Sequence, residues 1–354
     1  VIGLPGTATR AALLGAVGAL AFLATAPAAR AQVGDVRDAP DPAIIQHDGL
    51  YYVFATDEGI QILRSDDLVE WERIGRVFEA DDGPEWAQDV IPGTMFPWAP
   101  DITFFNGLYH LYYSLSTFGS QRSVIALATN ETLDPADPDY AWVDRGIVLE
   151  SHTGQDPFNA IDAALFVEDD GSVWMSWGSH WGGIKMRRID PETGLLSDAD
   201  TTTYDLAARD GVDAVDGPTA AQAIEGPYII RHDGAYWLFV SFDACCRGAE
   251  STYNVRVGRA DHITGPYLDR DGVPMTEGGG TLVLASHGDI RGPGHNSILV
   301  EDDAHYLVHH YVNIVEGPAS PDAPLAIPRS LQIRPLHWTW YGWPVAGPPL
   351  ADYR

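Results

Sequence analysis

Five segments of the chain repeat one pattern, a tight polar turn followed by an aromatic-rich run. They are Asp48-Gly49-LYYVFAT, Asn106-Gly107-LYHLYYSLS, Asp170-Gly171-SVWMSWGS, Asp233-Gly234-AYWLFVSF and Asp303-Ala304-HYLVHHYV. Asp-Gly or Asn-Gly between β-prone runs is the strongest local signal for a hairpin. A short apolar strand precedes each turn (PAII, DITFF, AALFV, PYII, SILV). A third strand follows it (GIQILRS, SVIALAT, GIKMRRI, YNVRVGRA, SLQIRPL). Often a polar turn and a further Trp or Tyr segment come next, as in LVEWERIG and PDYAWVDRG. Four strands per repeat is the make-up of a propeller blade, and self-similarity at a long period is the mark of such folds. The fold expected is all-β, a five-bladed β-propeller. A β-sandwich would give irregular strand spacing without five-fold repetition, and ranks below it.

Composition narrows the partners. The 354 residues carry 50 acidic and 21 basic side chains, a formal net charge of −29. Such a surface repels the phosphate backbone and anionic lipid, so neither nucleic acid nor membrane is an expected partner. At the N-terminus, Arg10 is followed by the apolar run AALLGAVGALAFLATA and then by Pro27-Ala28-Ala29-Arg30-Ala31. A basic flank, a short apolar stretch and small residues at its end read as a secretory signal. The run is shorter than the ~20 residues a membrane span needs. The expected organisation is therefore a signal over 1–31 and a single propeller domain over 32–354, secreted to the extracellular or periplasmic space. The two cysteines, Cys245 and Cys246, are adjacent. They read first as two packed thiols, and second as a vicinal disulfide stiffening a turn.

Looking back from each turn, an ionisable residue opens each repeat's first strand: Asp41, Asp101, Asp162, Glu225 and His295. In a propeller the first strands line the central channel and all run the same way, so their starts converge on one mouth. Acidic residues are depleted in strands, and like charges across a funnel repel. A single such acid reads as a turn cap or ion pair. A ring of them points to general acid–base chemistry, which needs carboxyl groups that perturb one another's proton affinity. Glycoside hydrolysis requires one protonated and one ionised carboxyl. Aromatics near strand ends, Trp98, Phe118, Trp177, Trp181 and Trp237, suit the C–H faces of sugars; each taken alone reads as packing. Trp98 and Phe118 stand out because they are expected in loops flanking a strand.

The stretches DPAIIQHDGLYYVFAT, FPWAPDITFFNGLYHLYYSLSTFGS, NAIDAALFVEDDGSVWMSWGSHWGGIKM, AIEGPYIIRHDGAYWLFVSFDACCRG and RGPGHNSI together resemble glycoside hydrolase family 43, and within it the endo-1,5-α-L-arabinanases. The resemblance implies a five-bladed propeller and single-displacement, inverting hydrolysis of arabinan or arabino-oligosaccharides by a monomer. It implies that Asp41 is the general base, Glu225 the general acid, and Asp162 the residue that raises and orients the acid. It implies that His295 sits at the channel centre beside a bound ion, calcium, and that Trp98, Phe118, Asn159 and Trp181 contact substrate. The sequence departs from the family at Pro40, where a His usually precedes the base, and at Ala163, where a Pro is common. Asp38 is a nearby rival to Asp41 but lacks the Pro-x-Ile that follows it. Exo-acting arabinofuranosidase or β-xylosidase action is the alternative of the same chemistry. A non-catalytic carbohydrate-binding propeller would be favoured only if a catalytic carboxylate were missing.

Overall fold

The computed structural model describes residues 32–350 apart from 82, 210, 216–222, 303, 316 and 318–327, together with residues 1 and 3. The signal expected over 1–31 thus lies outside the described residues. Among the described residues no helix is long and apolar enough to cross a membrane.

The strands form five antiparallel sheets. The first contains β2 (Ala43–His47), β3 (Leu50–Ala55), β4 (Gln61–Ser65) and β5 (Glu70–Arg76). The second contains β6 (Trp98–Phe105), β7 (Leu108–Leu115), β8 (Ser123–Asn130) and β9 (Val143–Ser151). The third contains β10 (Ala164–Val167), β11 (Val173–Trp177), β12 (Ile184–Ile189) and β13 (Tyr204–Ala207). The fourth contains β14 (Ile224–His232), β15 (Ala235–Phe242), β16 (Asn254–Ala260) and β17 (Thr281–Leu284). The fifth contains β18 (Ile290–Glu301), β19 (Ala304–Asn313), β20 (Arg329–Trp338) and β21 (Pro344–Ala346). Each sheet keeps simple meander order, and the short β1 (Val33–Gly34) adds in parallel to the outer edge of the first. The first strands β2, β6, β10, β14 and β18 neighbour one another in a closed ring. The fold is the expected five-bladed β-propeller.

Side-chain alternation explains the stacking. Successive residues of a strand face opposite sides, so a strand buried on both faces serves two interfaces. Tyr52 and Phe54 of β3 pack toward the second blade, whereas Val53 and Ala55 pack toward the fifth. Every blade-to-blade interface among the described residues has its own apolar cluster. The hairpin turns behave as their sequences require. Asp48-Gly49, Asn106-Gly107 and Asp233-Gly234 each place both residues at positive φ, the geometry of a two-residue type I′ turn. The turn of the third blade is wider, since Val167 pairs with Val173. In the fifth, Ala304 already pairs with Glu301, so the turn falls one residue earlier than the Asp303-Ala304 alignment expects.

Among the described residues no strand is exchanged between the first and last blades. Side-chain and backbone clasps close the ring instead. The Gln32 carboxamide donates to the carbonyls of Ile333 (3.3 Å) and Leu350 (3.1 Å), and accepts the Ile333 amide (3.1 Å). Ala39 donates to the Arg329 carbonyl, and Leu331 to that of Val36, both at 2.9 Å. Ser297 Oγ donates to the Pro42 carbonyl at 2.8 Å. Gln32→Ala would leave buried backbone groups unpartnered, each costing about 1–3 kcal/mol. Urea unfolding should therefore show a lowered midpoint for Gln32→Ala; an unchanged midpoint would mean the clasp does not hold the ring.

Candidate active site

At the mouth of the channel each blade carries a residue in the left-handed region just before or within its first strand: Asp41, Ala99, Asp162, Gly226 and His295, with φ of 54°, 43°, 60°, 58° and 46°. Left-handed residues cannot continue a ladder, so their amides need other partners. In four blades that partner is a side chain at the end of the second strand of the preceding blade. Asp41 N–H donates to His310 Nδ1 (3.0 Å), Ala99 N–H to Thr56 Oγ1 (2.8 Å), Asp162 N–H to Ser114 Oγ (3.0 Å) and His295 N–H to Ser241 Oγ (2.8 Å). In the third blade the corresponding position is Gly178, whose φ of +131° and 2.3 Å approach of a would-be Cβ to the Gly183 carbonyl exclude a side chain. With no hydroxyl there, Gly226 N–H donates to Asp162 Oδ2 at 3.2 Å. The exception to the ring thus fastens one carboxylate beside Glu225, the next-door residue.

Asp41 is held on every side. Thr56 Oγ1 donates to its Oδ2 at 2.6 Å, while His295 Nδ1 and His310 Nδ1 lie 3.4 and 3.3 Å from Oδ1. Burial alone would raise its pKa, but attraction from His295 and Arg329 helps to outweigh it and hold the carboxyl far below the usual range. Burial pushes His310 down, toward the neutral ring that accepts the Asp41 amide. Asp38, the sequence rival, is exposed and offers only its carbonyl, to Gln61 Nε2 at 2.7 Å.

Glu225 accepts from Ser179 Oγ at Oε2 (2.6 Å) and from the Tyr253 hydroxyl at Oε1 (2.7 Å), and His180 Nδ1 lies 3.4 Å from Oε2. Burial pushes its pKa up, but His180, Ser179 and Tyr253 together bring it down to about 2. Asp162 moves the opposite way. Burial first, then the charges of Glu225 and Asp41, raise it well above the ordinary carboxylate, against the opposing Gly226 amide. The two form one coupled pair, whose surroundings favour the proton on Asp162 and the charge on Glu225.

Other expected residues fare differently. Asp101 does not belong to the rim. It lies two residues beyond left-handed Ala99, within β6, where its Oδ2 accepts the Leu165 amide (2.9 Å) and the Thr103 hydroxyl (3.4 Å). It is a buried tie between the second and third blades. Trp98 is the first residue of β6, paired with Ser114, rather than a loop residue, though it remains half-buried at the mouth. Phe118 is in a loop as expected and 83% exposed, an open platform. Trp181 is 9% exposed and packs edge-on against His180. Asn159 is buried, and its carboxamide bridges Ser151 Oγ and the Ser120 carbonyl, both at 3.4 Å, so it braces the Phe118 loop. Cys245 and Cys246 form a disulfide, the second of the two readings made for them.

For calcium the donor set is thin. Among the described residues no group of three or more His, Cys, Asp and Glu side chains is arranged to hold a metal. His295 would supply one nitrogen. The neighbouring Asn296 is buried with both carboxamide atoms unpartnered, an orphaned polar group beside it in the chain. Calcium prefers six to eight oxygens. These residues fit a cation that keeps most of its water, not a protein cage.

Ser179, His180, Tyr253, His310 and Thr56 were not anticipated. Thr56, Ser114 and Ser241 share a place seven residues after the second turn residue, a signal visible only by counting forward from the turns.

Residues 36–344 match the family model described as glycosyl hydrolases family 43. The chain is 39% identical to an extracellular exo-α-(1→5)-L-arabinofuranosidase of Cellvibrio japonicus, over 92% of this chain and 90% of the relative. It is 35% identical to an extracellular endo-α-(1→5)-L-arabinanase of Bacillus subtilis, over 92% and 93%. The solved α-L-arabinanase of Cellvibrio cellulosa in complex with arabinohexaose superimposes with a TM-score of 0.81 at 38% identity, covering 89% of this chain and 96% of that one.

Burial raises Asp101 from 3.8 to about 7, against hydrogen bonds from Leu165, Thr103 and Ile102. The folded state binds this proton more tightly, so the stability it contributes is full below about pH 4 and is lost as pH rises to about 7. Asp101→Asn keeps an acceptor and has no proton to lose. Urea midpoints of the native protein should therefore fall relative to Asp101→Asn across that window and then level off; parallel profiles would contradict the buried, proton-binding reading.

Proposed function

The chain belongs to glycosyl hydrolase family 43, and from that premise we propose that it cleaves α-1,5-linked L-arabinan by single-displacement, inverting hydrolysis, with endo action. The observation that carries this is the convergence of Asp41, Asp162 and Glu225 on one mouth of the propeller, with three different environments. In this reading Asp41, ionised at neutral pH, takes a proton from water, whose oxygen attacks the anomeric carbon. The bond from that carbon to the leaving sugar's oxygen breaks on the opposite face, and that oxygen receives a proton from Glu225. The proton that Glu225 delivers is the one the Asp162–Glu225 pair holds: it passes from the Asp162 side to Glu225 once substrate is bound, and the pair takes up another from water after the products leave. The open Phe118 platform supports binding of a furanose face.

Exo action is the second reading, favoured by the exo-acting relative at 39% identity. Products from linear arabinan separate the two. A mixture of oligosaccharides supports endo cleavage; a single short product from the first minutes onward supports exo cleavage. Secretion is proposed alongside, supported by the extracellular relatives.

Glu225→Gln tests the acid. Loss of general acid catalysis typically costs about 10²–10⁴-fold. Activity on arabinan should fall by that much, while aryl arabinofuranosides with good leaving groups are largely spared. Equal loss on both would remove Glu225 from the role.

We also propose a hydrated calcium ion beside His295, supplying positive charge at the channel centre when bound. Chelator should lower the melting temperature, and added calcium should restore it; an unchanged melting curve would argue against a bound ion.

A further inference from the structure

We propose that Tyr253 is a positioning residue for the acid, fixing one oxygen of Glu225 so that the other, Oε2, handles the proton. This rests on the reading of Glu225 as general acid. Tyr253 is fully buried, and its hydroxyl donates to Glu225 Oε1 at 2.7 Å. Burial, then the charges of Glu225, Asp162 and Asp41, push its phenol well above the ordinary value, so it stays a donor. A proton on Oε1 would confront that donor. Oε2 faces a softer set. Ser179 Oγ, 2.6 Å away, also lies 3.0 Å from His180 Nδ1, so its hydroxyl can turn from Glu225 to the imidazole and free Oε2 to carry a proton. His180 is partly exposed, so this side of the carboxyl faces the mouth.

The seat of Tyr253 is built for it. A Cβ on Gly294 would fall 2.2 Å from Tyr253 Cδ1, and one on Gly292 2.5 Å from Ser251 Cβ and 3.4 Å from Tyr253 Cβ. The two glycines of the RGPG stretch therefore clear room for this segment. The Thr252 and Tyr253 amides both reach the Ala244 carbonyl, at 2.9 and 3.1 Å, which anchors the tyrosine to the loop carrying the Cys245–Cys246 disulfide. On its other side the ring lies 5.8 Å from that of His310, inclined 23°, and His310 accepts the Asp41 amide. Tyr253 thus stands between the acid and the base, touching one by its hydroxyl and the support of the other by its ring.

Tyr253→Phe keeps the ring and removes the hydroxyl. Native enzyme, Tyr253→Phe and Glu225→Gln are to be compared on linear arabinan and on an activated aryl arabinofuranoside. A hydrogen bond to a charged group is worth about 10–100-fold. The expected result for Tyr253→Phe is a kcat on arabinan lower by that factor, a nearly unchanged KM, and near-native turnover of the aryl substrate. That last activity also certifies the fold. Equal loss on both substrates, or no loss on either, overturns the proposal when Glu225→Gln keeps its leaving-group dependence. If Glu225→Gln lacks that dependence, the acid assignment fails and this proposal with it.

Discussion

The site depends on one recurring constraint: a left-handed residue stands just before or within each inner strand, and its amide must find a partner outside the ladder. Side chains of the preceding blade meet that need at Asp41, Ala99, Asp162 and His295. The constraint does two things at once. It ties each blade to the next at the rim, and it turns the side chain of the left-handed residue away from the sheet's own alternation. A carboxylate placed there is positioned by backbone geometry rather than by a flexible loop. Gly178 breaks the pattern in the third blade, and the break delivers the Gly226 amide to Asp162.

Three buried carboxylates in one funnel would each be driven toward the neutral acid by desolvation. Their surroundings divide the outcome. Asp41 has Thr56, His295 and Arg329 to keep it ionised. Glu225 has Ser179, Tyr253 and His180. Asp162 has a single backbone amide and two neighbouring negative charges, so its proton affinity rises. The cluster therefore sets carboxyls of low and high proton affinity side by side, so that a proton held by the pair is within reach of acid–base chemistry.

The five blades were legible because hairpin turns and aromatic strands repeat in sequence, and Asp41, Asp162 and His295 were legible because they sit at nearly constant distance from those turns. The rim itself was harder to read. Bulges between Trp98 and Asp101, between Glu225 and Tyr228, and twice between Arg291 and Ser297 shift the register of the inner strands. A count from the turn therefore took Asp101 for a rim residue and missed Ala99. The partners of Glu225 were invisible for another reason. Ser179 comes from the preceding blade and Tyr253 from the segment entering the third strand of the same blade, and only the closed ring brings them to one carboxyl. Burial gives Asn159 a bracing role that residue type alone does not reveal.

The central claim is that Asp41 activates water on the face opposite to the leaving oxygen beside Glu225. Proton NMR of the first products released from an α-linked arabino-oligosaccharide reads that geometry directly. The account predicts the β-anomer of the new reducing end first, followed by mutarotation. The α-anomer appearing first would contradict it.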